Sequence, residues 1–124
     1  MPPTSYTIVL SLPAKELSPN WRGHWAVKDK ARKAARSEAW AETYLRLQGR
    51  DGPRWKAASI QYTFFFKDKR TRDDDNFASR CKPIRDGIAD AGMVCNDSQF
   101  TTLPVQMFVD HESPRLQVTV TEMP

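Results

Sequence analysis

Several residue types are scarce in this sequence of 124 residues, and their scarcity excludes several kinds of protein. Only two cysteines occur, Cys81 and Cys95, and their spacing fits neither a metal site nor a redox motif. In a cytosolic protein we expect two reduced and partly buried thiols. The two histidines, His24 and His111, lie in unrelated contexts, and no serine or cysteine has a recognisable base partner. Nucleophilic catalysis of the triad type is therefore not indicated.

Long apolar runs are also missing. No stretch approaches the roughly 20 apolar residues that a membrane span requires. The start, Met1–Pro13, lacks the positively charged region of an export signal, and its apolar run is short and alternating. We therefore expect a cytoplasmic protein with no membrane partner.

The overall composition of the chain suits one folded domain of residues 1–124. Hydrophobic residues make up 40% and charged residues 27% of the chain, which allows a modest packed core and argues against wholesale disorder. The formal net charge is +4, and a basic excess suits a partner rich in phosphate.

The hydrophobic pattern predicts a small α+β domain with a mixed β-sheet and two main helices. Helical spacing without glycine or proline predicts a helix over 27–47, with small residues such as Ala35 and Ala39 as close-packing steps and with Trp40, Tyr44 and Leu47 as its larger apolar contacts. A second helix is expected from Ser79 or Lys82 to Ala91, with Pro83 in its first turn and Gly92 as a left-handed residue after its end. The predicted strands are 6–12, 58–67, 93–95, 102–109 and 116–121, and 71–76 is predicted to be a polar loop.

An acidic run in a basic chain is the most informative feature. In extended backbone, residues two apart point the same way, so Asp73 and Asp75 are expected to reach one point. Asp97 follows the second helix, and a strand–loop–helix–strand unit can return it to the same place. Three converging carboxylates form a hard oxygen site of the kind that binds Mg²⁺, or Mn²⁺ as a substitute. Such an ion can activate water for attack on a phosphodiester.

Cations surround the acidic run and would hold a DNA backbone. Those closest in sequence are Lys69, Arg70, Arg72, Arg80 and Lys82. The alternative is a solvated turn or a helix cap formed by the acids. A calcium EF-hand loop does not fit, because Phe77 and Ala78 stand where a ligand and a glycine are required.

The first helix carries a second basic segment. Lys28, Arg32 and Arg36 lie on one line of the helix at intervals of four residues, which favours a phosphate-binding face. Basic residues mixed with the aromatic rings of Trp21 and Trp25 can also stack on exposed bases. The alternative is an ordinary solvated helix face with one or two core tryptophans.

The combined motif resembles the RusA family of Holliday-junction resolvases of bacteria and their phages. The resemblance rests on D-x-D-N at 73–76, K-x-x-x-D at 82–86, A-G at 91–92 and N-D-S-Q at 96–99, with weaker likeness at 18–20 and in the last strand. Two departures are present: Lys82 lies six residues after Asn76, and Asn96 replaces a frequent acid.

The resemblance implies a small homodimeric, Mg²⁺-dependent endonuclease that binds four-way DNA junctions and other branched DNA and makes paired symmetric nicks. It implies metal ligands at Asp73, Asp75 and Asp97, a catalytic lysine at Lys82, or else Arg80 in that role, and a DNA contact at Arg72. It also implies a bacterial host or a phage that infects one.

Three alternatives stay open from the residues alone. A branched-DNA-binding protein without cleavage would keep the basic surface and use the acids only structurally. A nuclease of broader range would act on flaps, single strands or RNA. A plain structural α+β domain would explain neither the acids nor their basic flank.

Overall fold

Alternating apolar residues form the central sheet, which the computed structural model describes within residues 4–124. Each of the three long strands buries every second side chain on one face, as a sheet with one covered face requires. The strands are β1 (Ser5–Leu10), β2 (Ala58–Phe66), β3 (Phe100–Thr102), β4 (Gln106–Val109) and β5 (Arg115–Glu122).

The sheet is mixed, as predicted. Strand β5 lies between β1 and β2 and pairs antiparallel with both, while β3 and β4 both pair parallel with the other edge of β2. The predicted single strand 102–109 is wrong, because Pro104 stands between β3 and β4 and has no backbone N–H for a ladder. The predicted strand 93–95 is also wrong, since only Val94 forms an isolated bridge, with Trp55.

Three helices accompany the sheet: α1 (Trp25–Arg46), α2 (Asp74–Ser79) and α3 (Lys82–Asp90). Helix α1 begins at Trp25 because the ring of His24 caps it, with Nδ1 accepting the N–H of Ala26 at 3.1 Å. Helix α3 starts at Lys82 and ends one residue before the predicted Ala91, and the predicted roles of Pro83 in its first turn and of Gly92 after its end, with a φ of 90°, are confirmed. With α1 and α3 as the two main helices, the predicted fold class is confirmed.

The core lies between the buried face of the sheet and the two main helices. Ile8, Phe64 and Val118 of the sheet share one buried cluster with Ile84 and Ile88 of α3. The opposite face of the sheet carries hydroxyl and amide side chains in cross-strand pairs, such as Thr7 with Thr119 at 3.1 Å.

The face of α1 that packs inward agrees only in part with the predicted one, since Ala35 and Ala39 pack at the core as predicted. Leu47 is buried as predicted, but Trp40 and Tyr44 are each 43% exposed and stack on each other with ring centroids 5.2 Å apart. Small residues take their place, because Gly87 of α3 lies against the backbone of α1 beside Ala39. Such close helix contact leaves no room for large side chains between the helices.

No helix within residues 4–124 combines the length and the apolar character needed to cross a bilayer.

Candidate functional site

The acidic run forms the start of α2 and is not an extended loop. Asp73 is the N-cap of α2, and its Oδ1 accepts the N–H groups of Asp75 at 2.9 Å and of Asn76 at 3.2 Å. Asp74 and Asp75 lie in the first turn and are exposed. The predicted loop and its extended alternation are therefore wrong, because the cap bends the backbone into a helix before Asp75.

This arrangement explains how a run of like charges is tolerated. Unpaired N–H groups and the helix dipole give the first turn of a helix a partial positive charge, which favours carboxylates there. Exposure to water also weakens the repulsion among the three aspartates. The alternative role as a helix cap is therefore shown for Asp73, and the carboxylate of Asp75 remains open to solvent.

Asn76 fixes α2 to the rest of the chain. Its Nδ2 donates to Oγ of Ser18 at 2.8 Å, and its Oδ1 accepts Nε of Arg80 at 3.0 Å. Ser18 is buried, and its backbone oxygen accepts Nζ of Lys28 from α1 at 3.1 Å. The acidic turn and the first turns of α1 are thus joined through one buried serine.

Helix α3 presents Lys82 to two carboxylates. Its Nζ donates to Asp86 at 2.7 Å and to Asp97 at 2.6 Å. The backbone stays right-handed helical between α2 and α3. Arg80 and Cys81 separate the two helices, so only two residues lie between the end of α2 and Lys82.

Asp97 is held in a 3₁₀ turn, Asp97–Gln99, by a capping box. The side chain of Asn96 accepts the N–H of Ser98 at 3.0 Å, and the side chain of Gln99 accepts the N–H of Asn96 at 2.8 Å. Arg85 donates to the backbone oxygen of Asp97 at 2.9 Å. Asn96, which replaces an acid of the RusA-like motif, therefore shapes the turn that carries Asp97.

The ion pairs shift the protonation equilibria of this cluster. The hydrogen bonds that Lys82 donates to Asp86 and then to Asp97 raise the pKa of Lys82 above its ordinary 10.5. The hydrogen bond from Lys82 lowers the pKa of Asp97 below its ordinary 3.8. Both groups are charged at neutral pH, and Lys82 acts as a fixed cation between two carboxylates.

The expected convergence of Asp73, Asp75 and Asp97 is not seen in this conformation. Within the described residues 4–124, no three Asp, Glu, His or Cys side chains are gathered closely enough to share a metal ion. The donor chemistry fits Mg²⁺, since the three side chains are carboxylates and part of each is accessible to solvent. Asp97 is engaged with Lys82, so a shared site requires that contact to rearrange.

Two of the cations near the acidic run, Arg72 and Arg80, are held against aromatic rings. Arg72 is fixed, with its guanidinium 3.9 Å from the ring centre of Phe66 and 2.8 Å from Asp68, and Arg80 lies over Phe77 at 4.2 Å. Burial lowers the pKa of Arg80.

Lys69 and Arg70 are exposed and line a cavity of about 230 Å³ together with Arg72 and strand β4. Arg70 is 3.5 Å from Asp68. Unlike Arg72 and Arg80, Lys69 and Arg70 are therefore exposed to a phosphate backbone.

The cations predicted on α1 are also partly engaged within the protein. Arg36 forms a bidentate pair with Asp90 of α3, at 2.6 and 2.9 Å, and Arg32 lies 3.8 Å from Asp29. Lys28 is bonded to Ser18, as described above. The predicted line of three cations therefore includes two that connect α1 to other parts of the fold.

The residue of this cluster that the sequence prediction left out is Asp86. Asp86 entered the sequence analysis only as the last residue of the K-x-x-x-D motif at 82–86, with no role in the site. Because Lys82 also reaches Asp97, Asp86 belongs to a three-residue cluster and orients the lysine from the opposite side.

Comparison with known proteins gives one informative relative. An uncharacterized protein of Xylella fastidiosa (strain Temecula1 / ATCC 700964) is 35% identical over 118 residues, which cover 93% of this chain and 75% of the relative. No family model matches the chain.

Proposed function

We propose, for a chain that belongs to the same family as this Xylella fastidiosa protein, the activity of a Mg²⁺-dependent, structure-selective DNA endonuclease. Its substrates would be four-way junctions, cut by paired symmetric nicks. The RusA-like motif supports this assignment, and DNA recombination, repair or phage DNA processing would be its setting.

The observation that carries the proposal is the cluster of Lys82 and Asp86, on the helix that follows the acidic turn, with Asp97. A lysine held at 2.6 Å from a carboxylate of the motif is a cation positioned beside a candidate metal ligand. A positioned cation contributes electrostatic stabilisation of the transition state in phosphoryl transfer.

Asp73, Asp75 and Asp97 would hold the metal, with Mn²⁺ as a substitute. A bound divalent ion supplies Lewis acidity and a water of lowered pKa. Of the protein groups, Asp73 has one oxygen engaged in the helix cap, and Asp75 projects from the same turn. When Asp97 turns from Lys82 toward these two, Lys82 keeps its bond to Asp86 and can donate to a phosphate oxygen.

Exposed cations would hold the junction arms. Lys69 and Arg70 are accessible beside the acidic turn, and Arg32 is exposed on α1 between Lys28, which is half-buried on Ser18, and Arg36, which is paired with Asp90. A four-way junction has near two-fold symmetry, so paired nicks call for two matched sites, and we propose that the protein acts as a homodimer.

Cleavage of a labelled four-way junction tests the proposal directly. The junction is incubated beside a linear duplex and a single strand, with Mg²⁺ or with EDTA. We expect paired nicks in the junction alone and none with EDTA. Cleavage of all three DNAs would instead assign a nuclease of broader range.

Two variants at neighbouring positions test which aspartate of the acidic turn is required for cleavage. Asp75→Asn should abolish cutting while junction binding is kept or tightened, because one repelling charge is lost. Asp74→Asn makes the same chemical change in the same exposed turn and should leave cutting intact. If Asp75→Asn cuts as fast as the wild type, the proposed metal site is wrong.

A branched-DNA-binding protein that does not cut is the second candidate. It is favoured by the structural roles of Asp73, which caps α2, and of Asp97, which pairs with Lys82. Tight junction binding without nicks under any divalent ion would support it.

A further inference from the structure

Trp25 is the most exposed of the four tryptophans, although a large apolar ring is usually buried in a folded protein. Its side chain is 74% exposed, whereas Trp55 is buried and Trp21 is half-buried against Gly23. An indole left in water forgoes the large stabilisation that its burial would give. A ligand that covers the ring would recover this stabilisation.

The ring of Trp25 is held in place on one side. It stacks on the imidazole of His24, with centroids 5.6 Å apart and planes inclined by 29°. That imidazole is itself fixed, since its Nδ1 caps α1 by accepting the N–H of Ala26. The cap therefore orients a stacked pair of rings, which lowers the conformational entropy lost when a further ring stacks on it.

The surroundings of this pair suit a nucleic acid. Residues 22–33 contain five cations and one acid, Asp29, for a net charge of +4. The carboxylate of Asp29 forms an ion pair with Nζ of Lys33 at 3.1 Å. The combination of a stacking ring with an excess of positive charge is the arrangement that binds unpaired bases and their phosphates.

Helix α1, which carries Trp25, is also connected to the acidic turn of α2. Lys28, one turn after Trp25, donates to the backbone of Ser18, and Asn76, next to Asp75, donates to the hydroxyl of the same serine. A base stacked on Trp25 is thereby placed in fixed relation to the carboxylates of α2.

We propose that Trp25, backed by His24, is a stacking platform for an unpaired base at the branch point of DNA. This inference rests on the proposed function for its place beside a cleavage site, but base stacking itself requires no cleavage. It distinguishes Trp25 from the phosphate contacts, which do not depend on the base.

Tryptophan fluorescence in EDTA tests the platform without any cutting. The protein is titrated with a single-stranded oligothymidylate, with an abasic strand of the same length, and with a four-way junction. We expect the oligothymidylate and the junction to quench fluorescence, and the abasic strand to bind through its phosphates with much less quenching. Equal quenching by the abasic strand would overturn the proposal.

Three variants at two tryptophans assign the fluorescence signal and the affinity to Trp25. Trp25→Phe should remove most of the quenching, while Trp40→Phe should keep it, because Trp40 lies on the same helix about 22 Å away along its axis. Trp25→Ala should weaken binding of the oligothymidylate roughly tenfold, and Trp25→Phe should restore most of the affinity. Loss of quenching in Trp40→Phe alone, or unchanged affinity in Trp25→Ala, would overturn the proposal.

The outcome is separable from that of the cleavage assay. Quenching assigned to Trp25 in a protein that never cuts would support the platform and contradict the endonuclease. Paired nicks by a protein whose Trp25 variants bind and quench like the wild type would support the endonuclease and contradict the platform.

Discussion

The ammonium of Lys82 lies 2.6 Å from the carboxylate of Asp97, fifteen residues further along the chain. On its other side the same ammonium is 2.7 Å from Asp86. One lysine thus joins helix α3 to the turn that carries the third acid of the motif. This contact fixes the position of Asp97. Lys82 also competes with a divalent metal ion for the carboxylate of Asp97.

Removing Lys82 should therefore affect chemistry more than binding. We expect Lys82→Ala to lower the rate of junction cleavage by about a hundredfold, the usual effect of losing one charge-stabilising donor. Junction affinity should change little, because one exposed cation contributes only one of many phosphate contacts. Single-turnover cleavage and an electrophoretic binding assay measure the two effects separately.

Lys56→Ala is the control for this variant, since Lys56 is an exposed lysine before β2. It should leave both the rate and the affinity near those of the wild type. A large loss of affinity in Lys82→Ala with an unchanged cleavage rate would move Lys82 from the catalytic to the binding role.

The turn between β4 and β5 gives a pH-dependent contribution to stability. Asp110 accepts Arg115 Nη1 at 2.8 Å and the N–H groups of Glu112 and Ser113 at 3.1 Å each. The bond from Arg115, followed by that from the Ser113 N–H, lowers the pKa of Asp110 below its ordinary 3.8. A carboxyl with a lowered folded-state pKa stabilises the fold above its unfolded pKa, and this contribution is lost as the pH falls through the folded value.

Asp110→Asn should therefore be less stable than the wild type near neutral pH, and the difference should shrink in acid. Urea unfolding of both proteins at about pH 6 and about pH 2.5 measures the gap. A gap of constant size at both pH values would show that the charge of Asp110 makes no contribution.

The sequence predicted the features that depend on neighbouring residues. The alternation in β1, β2 and β5 marks strands because a sheet with one buried face repeats every two residues. Gly92 was predicted after α3 because a left-handed residue at that position favours glycine, and its φ of 90° agrees.

The sequence did not predict features that depend on distant packing. Helix α2 has six residues, too few for a visible period, and is fixed by the bond between Asn76 and Ser18, fifty-eight residues apart. The exposure of Trp40 and Tyr44 depends on the contact of α1 with Gly87, which no property of α1 alone reveals. The pairing of Lys82 with Asp97 likewise depends on the path of the chain after α3.

The contact between α1 and α3 should be sensitive to one added methyl group. A β-carbon at Gly87 would overlap the backbone oxygen of Arg36 and lie 2.8 Å from Cβ of Ala39. We expect Gly87→Ala to lower the free energy of unfolding by about 1–3 kcal/mol, since overpacking outweighs the gain in helix propensity. Urea unfolding measures this loss.

A second substitution checks the cause. Ala39→Gly in the Gly87→Ala background removes one of the two clashing atoms but leaves the backbone oxygen of Arg36. Recovery should therefore be partial at most. A Gly87→Ala protein as stable as the wild type would show that the two helices can separate without loss.

The two cysteines should react at very different rates. Cys81 is buried between α2 and α3, with its Sγ donating to the backbone oxygen of Phe77 at 3.4 Å, and burial raises the pKa of its thiol to about 12. Cys95 is exposed. A thiol reagent at mildly alkaline pH should therefore modify Cys95 in the native protein and both cysteines after unfolding, because the thiolate is the reactive form and must be accessible.

The Cys95→Ser variant leaves Cys81 as the one reactive thiol, so that its labelling rate reports on the junction between α2 and α3. Its remaining thiol should react only as fast as α2 and α3 open, so the rate measures how firmly the acidic turn is connected to Lys82. Rapid native labelling of Cys81 in this variant would contradict the burial described here. In that case the junction of α2 and α3 would open readily in the native protein.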